Sequence, residues 1–179
     1  MTELKRRLSE KVTDPSYLDG LSDRSTDDLH AMRDECTHVE NELSFERRLC
    51  QGRIDILSAE LDRRAGRVEG DLISRLPQIL ADENPASGAA PLPPRPPDFS
   101  TPRAAEVDRR RVEELVGETS LARVSKMSED EIRESIETIA AQEKNLSGLR
   151  KKVHEVLDRI QAEMIRRYTS GEAETPLLS

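Results

Sequence analysis

The sequence contains very few aromatic residues and no tryptophan. Aromatic side chains account for 2% of the 179 residues, and hydrophobic residues in total account for 35%. Large apolar side chains supply most of the buried area of a globular core, so this composition does not favour a thick core. Charged residues reach 36%, which is typical of long helices that pair along a narrow seam. We therefore expect an all-α protein.

The chain also lacks a cysteine framework, a long apolar run and an excess of positive charge. Cys36 and Cys50 fall on helical seam positions, and we interpret both as reduced core residues. No apolar run approaches the roughly 18 residues of a membrane span, and residues 1–4 begin no signal peptide, so we expect a cytoplasmic protein without a membrane partner. The formal charge of −8 argues against direct binding of nucleic acid over the whole surface.

A pattern of five polar residues occurs twice in the sequence. Its members follow one another at intervals of four, three, four and four residues, and the two copies lie 103 positions apart. The residues are Glu40, Ser44, Arg47, Gln51 and Asp55 in the first copy, and Glu143, Ser147, Arg150, His154 and Asp158 in the second. This spacing returns to nearly the same side of an α-helix. Each copy, called a polar stripe below, is therefore predicted to form one line of side chains that can face a ligand.

The similarity between the two halves extends beyond the polar stripes. Residues 21–64 align without gaps on residues 124–167, so we interpret the chain as a sequence repeat. Seven of the ten prolines lie between Pro85 and Pro102, and this composition favours an extended, solvated chain. We predict a flexible linker between the two repeats.

Two pairs of residues predict where the long helices begin. Ser25 with Asp28, and Ser128 with Glu131, have the spacing of a capping box, and we expect Pro77 to break any extension of the first helix. The predicted segments are a short helix and turn at 1–20, a first long coiled-coil helix at 25–70, a flexible Pro-rich linker at 71–104, a short helix and turn at 105–120, a second long coiled-coil helix at 128–170, and a disordered tail at 171–179.

Apolar residues in both long helices follow a seven-residue repeat, which predicts a two-helix seam. The predicted seam residues are Leu29, Met32, Cys36, Val39, Leu43, Cys50 and Leu57 in the first helix, and Ile132, Ile139, Leu146, Leu149, Val153, Val156 and Ile160 in the second. Glu46, Arg53 and Gln142 interrupt the seam, so we expect a locally weaker coil there. Antiparallel packing is a hypothesis at this point; it would bring both polar stripes to one surface, whereas parallel packing would separate them.

The chemistry of the polar stripes suits a guanine nucleotide. Arginine can bond the O6 and N7 acceptors of guanine, carboxylates can accept from its donor edge, and serine can bond phosphate. A simpler interpretation is that the stripes are solvated or form interhelical ion pairs, as polar residues beside a heptad seam commonly do. Two copies in the same order favour the ligand interpretation.

The doubled motif closely resembles that of the RsiG family of anti-sigma factors from sporulating actinomycetes. The resemblance implies an antiparallel coiled coil with a short N-terminal helix that binds a dimer of cyclic di-GMP through the ten stripe residues. It also implies that the loaded protein sequesters a sporulation sigma factor resembling WhiG, and that the nucleotide is not turned over. His154 departs from the family pattern, which has glutamine at that position; histidine can still donate or accept a hydrogen bond.

Three alternatives belong to other functional classes. The principal one is a ligand-independent coiled-coil adaptor or scaffold whose polar stripes form ion pairs. A metal-dependent phosphodiesterase and a DNA-binding regulator are less favoured, because the sequence has no Gly-rich phosphate loop, paired metal site or clear recognition helix. We predict no catalytic residue, no metal site and no enzymatic activity.

Overall fold

The described part of this computed structural model is built from helices and the turns between them. It covers residues 3–68, 70–80, 101–102, 105–115 and 121–172, so most of the Pro-rich linker and the predicted C-terminal tail lie outside it. The helices are α1 (Glu3–Thr13), α2 (Thr26–Arg64), α3 (Leu72–Ile79), α4 (Ala105–Leu115), α5 (Leu121–Val124) and α6 (Glu129–Ser170), with two short 3-10 turns at Pro15–Leu18 and Leu21–Asp23. The prediction of an all-α fold with two long helices is confirmed.

The chain divides into two compact units. Unit 1 comprises Met1–Ser44 with Ser147–Ser179, and unit 2 comprises Phe45–Leu146. Both long helices, α2 and α6, contribute residues to each unit. They pack against each other in both units, so the architecture is a helical hairpin.

In unit 1, the beginning of α2 packs beside the end of α6. His30 Nε2 lies 3.0 Å from the hydroxyl oxygen of Tyr168, and further along α2 Glu40 contacts Arg150, so the two helices are antiparallel. The short helix α1 also belongs to this unit. Its Val12 is fully buried, and its Lys11 forms an ion pair of 2.7 Å with Glu35 of α2.

In unit 2, the pairing of α2 with α6 is again antiparallel. Gln142 of α6 contacts Glu46 of α2, while Arg64 at the end of α2 contacts the chain just before α6. Helix α4 belongs to this unit as well. Its Val112 is buried, and its Glu113 accepts a hydrogen bond from Arg53 of α2.

The predicted seam is buried with one local difference. All seven seam residues predicted in α2 are buried, and both cysteines are free and buried. In α6, Leu149 and Val156 are only partly buried, whereas Leu157 and Met164 are buried. An α-helix of 3.6 residues per turn drifts relative to a strict seven-residue repeat, so the apolar face moves from one position to its neighbour.

Both long helices begin with the predicted capping boxes. The backbone N–H of Asp28 donates to Ser25 Oγ over 3.0 Å, and the backbone N–H of Ser25 donates to Asp28 Oδ2 over 3.2 Å. Ser128 and Glu131 make the same reciprocal pair, at 3.2 Å and 2.6 Å. Each pair satisfies backbone donors that have no partner in the first turn of a helix.

Helix α2 ends at Arg64, before the end expected near Gly70. Gly66 adopts a positive φ of 67°. The backbone N–H of Arg67 donates to the carbonyl of Asp62, and the backbone N–H of Gly66 donates to the carbonyl of Arg63. This is the Schellman arrangement, in which a left-handed glycine stops the helix. The structure also differs from the predicted linker at its beginning, because Leu72–Ile79 forms α3 with Pro77 inside it.

Two equivalent arginines bind the turns that precede the opposite long helix. In unit 2, Arg64 donates to the carbonyls of Met127 and Val124 at 2.6 and 2.9 Å. In unit 1, Arg167 donates to the carbonyls of Arg24, Leu21 and Ser22 at 2.6, 3.1 and 3.1 Å. Arg64 and Arg167 occupy the same position of the repeat, as do Leu21 and Val124. We call these contacts the arginine clamps.

Candidate functional site

The ten stripe residues fall on α2 and α6 and are shared between the two units. Unit 1 contains Glu40, Ser44, Ser147, Arg150, His154 and Asp158, and unit 2 contains Arg47, Gln51, Asp55 and Glu143. In each unit, residues from both copies come together across the helix pair. The contacts between the copies are those of Arg47 with Glu143 in unit 2, and of Arg150 and His154 with Glu40 in unit 1.

In unit 1 the carboxylate of Glu40 is the centre of the contacts. Its Oε1 accepts from Ser44 Oγ at 2.6 Å and from Arg150 Nε at 2.9 Å, and lies 3.3 Å from His154 Nε2. Three residues of the motif thus converge on one oxygen of a fourth. The Arg150 bond uses Nε, and the described part of the chain gives the two terminal amino groups of Arg150 no hydrogen-bond partner.

In unit 2 the corresponding ion pair is looser. Arg47 Nη1 lies 3.4 Å from Glu143 Oε1, and both side chains are 23% exposed. Arg47 Nε is buried and has no hydrogen-bond partner among the described residues. A buried polar atom without a partner costs about 1–3 kcal/mol relative to one that is satisfied. An acceptor from outside the chain would satisfy this donor if the Arg47 side chain moved to expose it.

The two ion pairs are formed by equivalent residues of the two repeats. Glu40 and Arg47 of the first copy correspond to Glu143 and Arg150 of the second, and each glutamate pairs with the arginine of the other copy. The pairs differ because His154 reaches Glu40, whereas its counterpart Gln51 is exposed. The departure from the motif at His154 thus coincides with an additional contact in unit 1.

Glu40 remains acidic despite its burial. Burial by itself raises the pKa of this carboxyl, but the hydrogen bonds from Ser44, Arg150 and His154 together lower the pKa below its ordinary value. The side chain of Glu40 is 18% exposed, compared with 35% for Arg150. The arrangement keeps a negative charge beside the guanidinium and the imidazole.

Sequence reasoning missed the partnership of two residues that interrupt the seam. Glu46 is fully buried, and Gln142 Nε2 donates to its Oε1 over 3.1 Å. They lie immediately before Arg47 and Glu143 in the chain, so a polar contact inside the seam adjoins the ion pair beside it. The signal was present in the two interruptions, but only the register of the antiparallel helices brings them together. Glu46 and Gln142 therefore bond to each other across the seam, where the sequence predicted only a weaker coil.

Comparison with known proteins assigns the family. A family model described as RsiG-like matches residues 15–80 and 118–179, which together make up well over half of the chain. The chain belongs to the RsiG-like family. Both polar stripes lie inside the matched ranges, so the resemblance carried by the motif is confirmed. No curated protein matches the chain.

Membership of the RsiG-like family indicates a regulatory role as an anti-sigma factor and a sigma factor as the partner. Such a role is regulatory rather than catalytic. Among the described helices, none is both long and apolar enough to cross a membrane.

Proposed function

We propose that this protein is an anti-sigma factor that binds a dimer of cyclic di-GMP through its two polar stripes and, when loaded, sequesters a sporulation sigma factor resembling WhiG. Family membership supports the anti-sigma role, and the two copies of the motif support the ligand. The proposed setting is the cytoplasm, where the sigma factor would otherwise join RNA polymerase.

The observation that carries the ligand proposal is the incomplete pairing of the two arginines. Arg47 keeps a buried Nε without an acceptor in the described chain, and Arg150 bonds Glu40 through Nε alone. A purely structural ion pair is most stable when the guanidinium is fully bonded, because an unmatched buried donor opposes folding. Guanine offers O6 and N7 as acceptors for such donors.

The remaining stripe residues fit the other groups of the nucleotide. Glu40 and Glu143 can accept hydrogen bonds from the donor edge of guanine, and serine hydroxyls can donate to phosphate. Ser44 would first have to release Glu40, to which it donates its one proton. Gln51 and His154 offer polar hydrogen-bonding groups at the equivalent position. Exposed Lys151 and Lys152 on α6 bring positive charge close to the second stripe, which offsets repulsion of phosphate by a chain of net charge −8.

The proposed mechanism is ligand-gated sequestration. Cyclic di-GMP bound on the stripes would contribute contacts to both proteins, so binding of nucleotide and of sigma factor would be thermodynamically linked. A fall in the concentration of the second messenger would then release the sigma factor. The nucleotide leaves the complex unchanged, since its role is to join the two surfaces.

A calorimetric titration of cyclic di-GMP into the chain tests the ligand proposal, with cyclic di-AMP as the base control. We expect guanine-selective binding that is lost in an Arg47→Ala/Arg150→Ala variant. Arg133→Ala is the matched control, because Arg133 is an exposed arginine of α6 outside the stripe whose partner is Glu129. Equal binding of the two nucleotides, or binding that survives the double substitution, would contradict the proposal.

The second candidate function is a ligand-independent coiled-coil scaffold. The ion pairs of Glu40 with Arg150 and of Glu143 with Arg47 favour it, because interhelical ion pairs are what such a protein would place beside its seam. On this alternative, nucleotide binding stays at background in the wild-type chain and in the double variant. Sigma-factor binding would then be independent of added nucleotide.

A further inference from the structure

The polar stripes are related by the sequence repeat, but unit 2 contains a surface that the repeat does not reproduce. A cavity of about 250 Å³ opens beside α2, α4 and the end of α3. Its lining comprises Arg48, Leu49, Gly52, Arg53, Ile56, Leu80, Arg109 and Val112. The lining thus combines apolar side chains and Gly52 with three arginines. We call this the arginine-lined cavity.

The cavity includes a glycine of the first repeat that the second repeat does not reproduce. A Cβ atom on Gly52 would lie 3.3 Å from Leu80 Cδ2, so the absence of a side chain at position 52 lets Leu80 lie close to α2. The position equivalent to Gly52 in the second repeat is Glu155, which is exposed. The arginine-lined cavity therefore has a wall, at Gly52, that the second repeat does not reproduce.

Three arginines line the cavity on a chain that is acidic overall. Arg53 and Arg109 approach the same oxygen of Glu113, at 3.4 and 3.8 Å, and Arg109 also bonds Glu106 at 3.1 Å. Glu113 and Glu106 thus hold these two arginines, and Arg48 is the third cationic side chain of the lining. The contacts to Glu113 are long enough that an external carboxylate can compete for the guanidinium groups.

The apolar part of this surface is accessible. Leu80 is 51% exposed although it lines the cavity, and Ile73 is 70% exposed. Ile73 and Leu80 are seven residues apart, two turns of helix, and so lie on the same side of α3 and its end. A cavity of about 250 Å³ is smaller than the roughly 300–1,000 Å³ of small-molecule pockets, so it suits one or two inserted side chains.

We infer that the arginine-lined cavity is a docking surface for the protein partner, and that it receives an acidic amphipathic segment: an apolar side chain enters beside Leu80 while neighbouring carboxylates pair with Arg53 and Arg109. The inference rests on the proposed anti-sigma function and adds the place and chemistry of a contact with the partner. A ligand surface built from two equivalent stripes does not by itself fix the orientation of one partner. An asymmetric cavity in unit 2 supplies that orientation.

Two substitutions on this surface test the inference against matched controls elsewhere. Leu80→Asp introduces a negative charge beside the cavity, and Ile165→Asp makes the same change at an apolar residue of α6 that is 54% exposed. Arg109→Glu reverses a lining charge, and Arg110→Glu reverses its neighbour on α4, which does not line the cavity and has a more exposed side chain. Circular dichroism and thermal unfolding of each full-length variant verify that the fold is retained.

The main measurement is the affinity of each variant for the sigma factor in saturating cyclic di-GMP, with nucleotide affinity of the isolated chain as a second readout. We expect Leu80→Asp and Arg109→Glu each to weaken sigma binding about tenfold or more, as for a buried anchor of an interface, with nucleotide affinity unchanged. The two control variants should match the wild type in both readouts. Wild-type sigma affinity in Leu80→Asp and Arg109→Glu would overturn the docking surface while leaving the proposed function intact. Failure of the wild-type chain to bind the sigma factor would instead overturn both.

A photoreactive side chain at position 80 tests the chemistry of the occupant. The cross-linked sigma peptide should combine apolar residues with Asp or Glu at helical spacing, and its capture should decrease as salt is added. A cross-link confined to a basic segment, or to a second copy of this chain, would contradict the assignment.

Discussion

The arginine clamps carry the sharpest prediction about stability. Arg167 is 7% exposed and donates to three main-chain carbonyls and to Glu163, where its Nε lies 2.8 Å from the carboxylate. Lysine keeps the positive charge but offers a single nitrogen, so Arg167→Lys cannot reproduce this set of bonds. The carbonyls would lose donors at a partly buried turn.

The expected cost follows from the number of bonds lost. Hydrogen bonds that involve a charged group contribute about 1.5–3 kcal/mol each, and a lysine that retains part of the set leaves a loss of about 3 kcal/mol. For a chain of this size, about 1 kcal/mol corresponds to roughly 2–4 °C, so the melting temperature should fall by about 6–12 °C. Arg64→Lys in unit 2 should behave similarly, because Arg64 donates to two carbonyls and to Glu60.

The neighbouring arginines provide matched controls for a thermal unfolding experiment. The side chains of Arg166 and Arg63 are 49% and 39% exposed, and each pairs with the same glutamate as the clamp residue beside it. The guanidinium groups of both residues contact water as well as the glutamate, and lysine keeps their charge, so Arg166→Lys and Arg63→Lys should change the melting temperature by only a few degrees. If Arg167→Lys unfolds at the same temperature as Arg166→Lys, the reasoning about the clamps is refuted.

Three further predictions concern pH, the polar contact in the seam and helix propensity. Hydrogen bonds from Arg166 and, to a smaller extent, Arg167 lower the pKa of Glu163 from 4.5 to about 2, so the ionised carboxylate stabilises the fold fully above pH 4.5 and this stabilisation is lost as the pH falls toward 2. Glu163→Gln should flatten that part of an acid unfolding curve, and an unchanged curve would contradict this. Gln142→Leu removes an amide donor from buried Glu46 and should lower the free energy of unfolding, measured in urea, by about 1–3 kcal/mol. A Glu46→Leu/Gln142→Leu variant should recover most of the loss, and equal losses in the two variants would argue against a stabilising contact between these residues. Gly148→Ala should stabilise α6 by up to about 1 kcal/mol because a Cβ there meets open space, and a loss of stability would show that the position has another constraint.

The features that the sequence predicted well are local or periodic. Ser25 with Asp28 and Ser128 with Glu131 lie within one helical turn, so their capping bonds follow from spacing alone. The seam in α2 follows from a repeat of apolar residues. Both kinds of signal require no knowledge of how distant parts of the chain meet, and the predicted pair of long helices follows from them. Their antiparallel packing was a hypothesis that the resemblance to the RsiG family implied.

The features that the sequence did not predict depend on register. Nothing local indicates that Glu46 faces Gln142 or that Arg167 reaches the carbonyl of Arg24, because each contact needs the antiparallel alignment of α2 with α6. The early end of α2 has a different origin. Two glycines compete as the C-cap, and Gly66, rather than Gly70, forms the Schellman bonds.

The same register decides how the proposed ligand would meet the site. A nucleotide that accepts from the terminal amino groups of Arg150 leaves the Nε bond to Glu40 in place, so the helix pair and the ligand can share this arginine. A ligand group that donates to Glu40 Oε1 must instead compete with Ser44, Arg150 and His154. At Arg47 the contact with Glu143 is long, so little is lost if the side chain moves to expose its buried Nε to a ligand. The two interhelical ion pairs, which a simple scaffold would also contain, therefore hold both guanidinium groups in position before a ligand binds. This would reduce the conformational entropy lost on binding.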